Sequence, residues 1–190
     1  MAESGRLLLI VRETSVVGEL EWLRNGRMRL RYLPAADAIG PLSVSLPLTQ
    51  TRHQDKAIRP WIEGLFPDRP PLVRAWRRRF GIIADQPFPL LAAVGEDVAG
   101  AAQFVRPERL DTVLARPETI EPLTEADVRD LVVAALADVP ITDDLAGTGR
   151  FSLAGAQAKV ALRHTDDGWA LPSGAAASTP HPQARDPVAA

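Results

Sequence analysis

The chain has 190 residues, 46% of them hydrophobic, which is enough apolar material to bury a core and excludes wholesale disorder. A net charge of −2 argues against a general nucleic-acid or membrane-surface binder. With no cysteine, disulfides and thiolate metal sites are excluded, and His53, His164 and His181 are too scattered for a histidine metal centre.

Taken in chain order, Arg6 to Arg12 is an apolar strand candidate. The run Leu7 to Val11 is too short for a signal peptide or membrane span, so a cytoplasmic protein is expected. Leu20 and Trp22 alternate with Glu19 and Glu21, and Met28, Leu30 and Tyr32 alternate with Arg27, Arg29 and Arg31. This period of two on both sides of Asn25-Gly26 predicts a β-hairpin closed by a type I′ turn. Leu42 to Leu46 alternates again and ends at Pro47, which predicts another strand.

From Ile58 the period becomes helical. Trp61, Ile62, Leu65 and Phe66 form one face ending at Pro67; Leu72, Val73, Trp76 and Phe80 form a second, stopped by Gly81. Pro87 to Val94 predicts a third helix, and Ala101 to Val105 a returning strand. Residues 1–106 therefore read as a small α+β domain.

A polar stretch spaced by Pro107, Pro117 and Pro122 follows. Thr124-Glu125-Ala126-Asp127 resembles a capping box and opens a helix whose buried stripe is Val128, Leu131, Val132, Ala135 and Leu136. Thr142 to Arg150 reads as a flexible loop. Asp166-Asp167-Gly168 predicts a turn, with a short strand at Trp169-Ala170-Leu171. Beyond Pro172 the chain is small, polar and rich in proline, and poor order is expected there.

The segment Phe151-Ser152-Leu153-Ala154-Gly155-Ala156-Gln157-Ala158-Lys159 carries the most chemistry. Small residues at such a turn let backbone N–H groups approach a phosphate closely. The segment fits neither the Walker A spacing nor the dinucleotide glycine pattern, and spacing alone also allows an ordinary hairpin turn. Arg74, Arg77, Arg78 and Arg79 read as the solvated face of the helix bearing Trp76. Asp143-Asp144 read as solvated, and Trp61, Trp76 and Trp169 as core or half-buried anchors.

Five blocks in one order resemble the HipA family, the kinase toxins of bacterial toxin–antitoxin pairs. Leu42 to Leu48 is similar to its L-S-x-S-L-P-L block, and Gly64-Leu65-Phe66-Pro67-Asp68 to its N-L-L-P-[DE] segment, with Gly64 replacing asparagine. Leu90 to Ala101 is similar to L-L-x-A-[IV]-G-x-D-x-x-G-A, and Phe151 to Lys159 to F-S-L-A-G-A-Q-x-K. Trp169, Pro172, Gly174, Ser178 and Thr179 fit the run W-x-x-P-x-G-x-x-x-S-T.

The resemblance implies a small N-terminal subdomain at 1–106, followed at 107–179 by the start of a kinase-like N-lobe. It implies an ATP-phosphate loop at Ala154, Gly155, Ala156, Gln157 and Lys159, with Ser152 as an autophosphorylated serine that switches the kinase off. The full-length family uses ATP and Mg; neither is expected to bind this chain tightly. A HipB-like DNA-binding antitoxin is an implied partner, and the family's targets include glutamyl-tRNA synthetase. No direct contact with nucleic acid or membrane is expected of this chain.

After Ser-Thr the family continues with His-Ile-Leu-Lys-Pro, whereas Thr179 is followed here by Pro180-His181-Pro182-Gln183-Ala184-Arg185. Removing one C from a permitted back-translation of this tail restores Ser-Thr-His-Ile-Leu-Lys-Pro, so residues 180–190 read as an out-of-frame or disordered tail. The expected protein is a truncated, inactive HipA-like kinase. Two rivals are a non-enzymatic subunit that restrains a separate kinase subunit, and a phosphotransferase completed by another chain. The DNA sequence around Thr179 discriminates among them.

Overall fold

The structure is a computed structural model that describes residues 6–68, 70–98, 102–117, 119–136, 160 and 162–173. The loop expected over Thr142–Arg150, the residues Asp143-Asp144, the glycine motif and the tail from Pro180 lie outside the described residues. The fold is α+β, and the chain divides into two compact units: residues 1–66 with 76–115, and residues 67–75 with 116–190.

The first unit is built on a five-stranded antiparallel sheet. Its strands are β1 (Leu7–Arg12), β2 (Ser15–Trp22), β3 (Met28–Tyr32), β4 (Arg52–Gln54) and β5 (Ala102–Val105), in the order β4-β3-β2-β1-β5. Its helices are α1 (Ala36–Ile39), α2 (Asp55–Glu63), α4 (Pro87–Val94) and α5 (Leu110–Leu114). The helix α3 (Pro70–Arg79) spans the boundary between the two sets of residues.

The alternation in β2 and β3 does what a period of two requires. Leu20, Met28 and Leu30 are buried, while Glu19–Arg31 and Glu21–Arg29 pair across the outer face. Ile58 and Ile62 of α2, Phe88, Leu90, Leu91 and Val94 of α4, and Phe104 of β5 are buried as well, as are Leu8 and Ile10 of β1 and Val17 of β2. Trp22 stacks on Phe88 at 5.5 Å, and Trp61 lies tilted against Phe104 at 5.6 Å. Val11, Val105 and Val113 form a smaller cluster with Val16 and Leu110. Each such side chain, fully buried, contributes about 1.5–3 kcal/mol.

Several local expectations are corrected. The β2–β3 connection is not a type I′ turn: only Gly26 has positive φ (78°), and the Gly26 N–H bonds to the Leu23 carbonyl at 3.0 Å. Leu23-Arg24-Asn25 and Gly26 thus make a tight turn followed by a left-handed glycine, the longer hairpin loop that an Asn-Gly pair also serves. A second hairpin, β1–β2, turns at Glu13-Thr14 with Glu13 at φ 55°, a position whose side chain gives no glycine signal. The α2 helix begins at Asp55, earlier than the apolar period suggested.

Leu42–Leu46 is a turn, not a strand. The Leu46 N–H bonds to the Ser43 carbonyl at 3.0 Å, so Val44 is thrown outward at 96% exposure while Leu46 is buried. Phe80 is 39% exposed because α3 ends before it. Gly81 at φ 63° closes α3, with Ile82 and Gly81 N–H groups bonded back to Arg77 and Arg78 carbonyls. Arg74, Arg78 and Arg79 are exposed, whereas Arg77 folds back onto the Ala84 carbonyl and Asp85.

Asp55 ties the hairpin loop to α2. Its carboxylate accepts the Met28 N–H at 2.8 Å and two Arg59 donors at 3.0 Å, while Arg59 also reaches Gln86 and the Gly26 carbonyl. Burial pushes the Asp55 carboxyl up, but the Arg59 and Met28 hydrogen bonds and the charges of Arg59 and Arg27 outweigh it and hold the group below its ordinary value. A depressed folded pKa means that this contribution is complete above the unfolded carboxylate value of about 3.9 and is lost as pH falls through the folded one. Urea midpoints should therefore drop as pH falls below about 4, and Asp55→Asn should remove that part of the acid sensitivity.

The second unit carries a three-stranded antiparallel sheet in the order β6-β8-β7, from β6 (Thr119–Pro122), β7 (Arg163–Thr165) and β8 (Gly168–Ser173). Between the prolines read as a polar linker lie α5 and β6, which no simple apolar period announces. The helix α6 (Glu125–Leu136) begins as the capping box requires. Asp127 accepts the Thr124 N–H at 2.8 Å, and the Asp127 N–H bonds to Thr124 Oγ1 at 3.2 Å.

Candidate functional site

Ser152, Ala154, Gly155, Ala156, Gln157 and Lys159 all lie outside the described residues, which resume beyond the motif at Val160 and Leu162. Leu162 is buried with Leu131 of α6 and Leu171 of β8, and Val160, Val128, Leu123 and Trp169 pack around them. Val133, facing away from this stripe, is 56% exposed. His164 meets Trp169 edge-on at 4.9 Å across the β7–β8 hairpin, whose turn at Asp166-Asp167 is completed by Gly168 at φ 121°. These apolar contacts tie Val160 and Leu162 to α6 and β8.

The block Leu42 to Leu48 is held from three sides. Tyr32 Oη donates to the Leu46 carbonyl at 2.7 Å and accepts the Leu42 N–H at 2.9 Å, while Arg12 reaches the Gly40 and Pro41 carbonyls. Burial pushes the Tyr32 phenol up, against the lowering effect of the Leu42 N–H and the Arg12 charge, so it stays a neutral hydroxyl that donates and accepts at once. His53 is 4% exposed, with Nε2 3.2 Å from the Pro47 carbonyl and its ring edge-on to Tyr32. A carbonyl only accepts, so Nε2 carries the proton. The sequence marked none of these roles: Tyr32 reads as one more apolar position in a hairpin, and His53 as an isolated histidine.

The block Leu90 to Ala101 has a packing reason for the first of its two glycines, Gly95. A Cβ at Gly95 would stand 2.7 Å from Phe104 Cβ and 3.1 Å from the Phe104 carbonyl oxygen. Just beyond it, Glu96 pairs with Arg109 through both carboxylate oxygens, at 2.5 and 3.0 Å. Among the described residues no group of three His, Asp or Glu side chains is placed to hold a metal ion, and no helix is long and apolar enough to cross a membrane.

Residues 8–105 match the family model of the HipA N-terminal domain. The chain is 34% identical over 183 residues to a protein of Sinorhizobium fredii named "Putative kinase Y4mE", covering 92% of this chain and 42% of that protein. It is also similar to a chain in the solved complex of the Shewanella oneidensis MR-1 toxin–antitoxin system HipA, HipB and its operator DNA. That likeness has a TM-score of 0.59 at 25% identity, covering 90% of this chain and 39% of the other. The chain thus spans about two fifths of the length of both of these proteins.

Proposed function

The chain belongs to the HipA family through residues 8–105, and we propose that it supplies the N-terminal part of a HipA-like serine/threonine kinase acting in the cytoplasm. The observation that carries this reading is continuity. The likeness to the Sinorhizobium protein leaves so little of the chain uncovered that it runs past the family domain and through Phe151–Lys159. In this reading the backbone N–H groups of Ala154 to Gln157 and the Lys159 ammonium hold ATP phosphates, and Ser152 is the residue phosphorylated to switch the kinase off. A HipB-like antitoxin is the proposed partner, supported by the HipA–HipB–DNA assembly of the Shewanella relative.

Phosphoryl transfer also needs a positioned base and metal-bound carboxylates. This chain corresponds to 42% of the Sinorhizobium protein, so we assign those groups to the remainder of such a kinase and propose that the 190 residues alone are inactive. Joining residues 1–179 to the remaining part of the Sinorhizobium protein tests the reading. The chimera should incorporate labelled phosphate from ATP at Ser152, and Lys159→Ala should cut incorporation by about a hundredfold. Incorporation unaffected by both Ser152→Ala and Lys159→Ala would overturn it, as would robust autophosphorylation by the 190-residue chain alone.

A further inference from the structure

We propose that the free edge of β4, together with Lys56 at the start of α2, docks an acidic peptide segment in extended conformation. β4 is the last strand of its sheet, so one side of it has no strand partner among the described residues. The register says which groups it offers there. Tyr32 N–H bonds to the Thr51 carbonyl, and Leu30 lies opposite His53. Hydrogen-bonded and open pairs alternate along an antiparallel ladder, so Arg52 turns its N–H and carbonyl, and Gln54 its N–H, away from β3 toward the free edge, while the Gln54 carbonyl opens α2 as its N-cap. A shallow depression lies along that edge, lined by Gln50, Arg52, His53, Gln54, Lys56 and Ala57.

The charge there is one-signed. Arg52 and Lys56 are both exposed and have no ion-pair partner among the described residues. The neighbouring acid, Asp55, is engaged by Met28 and Arg59, and Arg31, opposite Arg52, is already neutralised by Glu19. Two unpaired cations on a short edge repel a second copy of that edge, which is how proteins guard a strand against self-pairing. The same cations favour an incoming strand that carries carboxylates, whose backbone can then pair with the N–H and carbonyl of Arg52 and the N–H of Gln54. A depression with only two cations and peptide-spaced donors and acceptors suits a short acidic strand better than a long polyanion.

The test uses the purified chain and a fluorescent peptide of alternating glutamate and valine, read by anisotropy at low salt. Binding should weaken about tenfold in Arg52→Glu/Lys56→Glu and should be retained in Arg52→Lys/Lys56→Arg. N-methylation of alternate peptide nitrogens should weaken it by a similar factor, which a purely electrostatic contact would not show. Thermal melts of the variants confirm folding, since both side chains are exposed. No binding at millimolar peptide, equal binding of the N-methylated peptide, or equal binding of a lysine–valine peptide would overturn the proposal. Tighter binding of a short single-stranded DNA than of the peptide would overturn it as well.

Discussion

Replacing Gly95 with alanine should destabilise the first unit by about 2–3 kcal/mol, at the upper end of what overpacking a core costs. The cause is contact, since a new Cβ would meet Phe104 Cβ at 2.7 Å and the Phe104 carbonyl oxygen at 3.1 Å. Phe104 itself is 1% exposed and wedged against Trp61, so it has nowhere to retreat. The colliding atoms make the origin testable. Shortening the side chain with Phe104→Leu leaves Cβ and the carbonyl in place, so Gly95→Ala/Phe104→Leu should show no rescue. Urea melts followed by tryptophan fluorescence measure this, and a Gly95→Ala midpoint equal to that of the parent would refute the packing argument.

Tyr32→Phe should cost a comparable amount, about 2–3 kcal/mol, although it removes a single oxygen. That oxygen joins the Leu42 N–H to the Leu46 carbonyl across the turn that holds Val44 outward. Without it both backbone groups lose their partner, and each buried orphan costs about 1–3 kcal/mol less whatever water recovers. The ring remains and still faces His53, so the loss should come from the loop. Hydrogen exchange should quicken at Leu42 and its neighbours well beyond the global change. A stability change within about 0.5 kcal/mol would mean that the loop stands without the phenol.

What the sequence made legible follows from how local each cause is. The β2–β3 hairpin, the α4 helix and the Thr124–Asp127 capping box depend on neighbours within a few residues, and each stands where patterning put it. The strand read over Leu42–Leu46 failed because alternation there is overruled by a distant phenol and a tight turn between Pro41 and Pro47. β6 stayed invisible because all four of its residues are exposed and its pairing partner, β8, is about fifty residues away in the chain. For the segment Phe151–Lys159, spacing alone left two readings open, and the ordered series of five blocks pointed to the family that residues 8–105 then match.

The most direct measurement is an ATP titration of the isotopically labelled 190-residue chain followed by amide chemical shifts. Perturbations should centre on Gly155, Ala156 and Gln157, with a dissociation constant on the order of millimolar or weaker, since a few N–H hydrogen bonds and one ammonium gain little in water. Lys159→Ala should abolish them while leaving the α6 and β8 amides in place. Shifts confined to residues outside 151–160, or a titration unchanged by Lys159→Ala, would contradict the assignment of this segment as the phosphate loop.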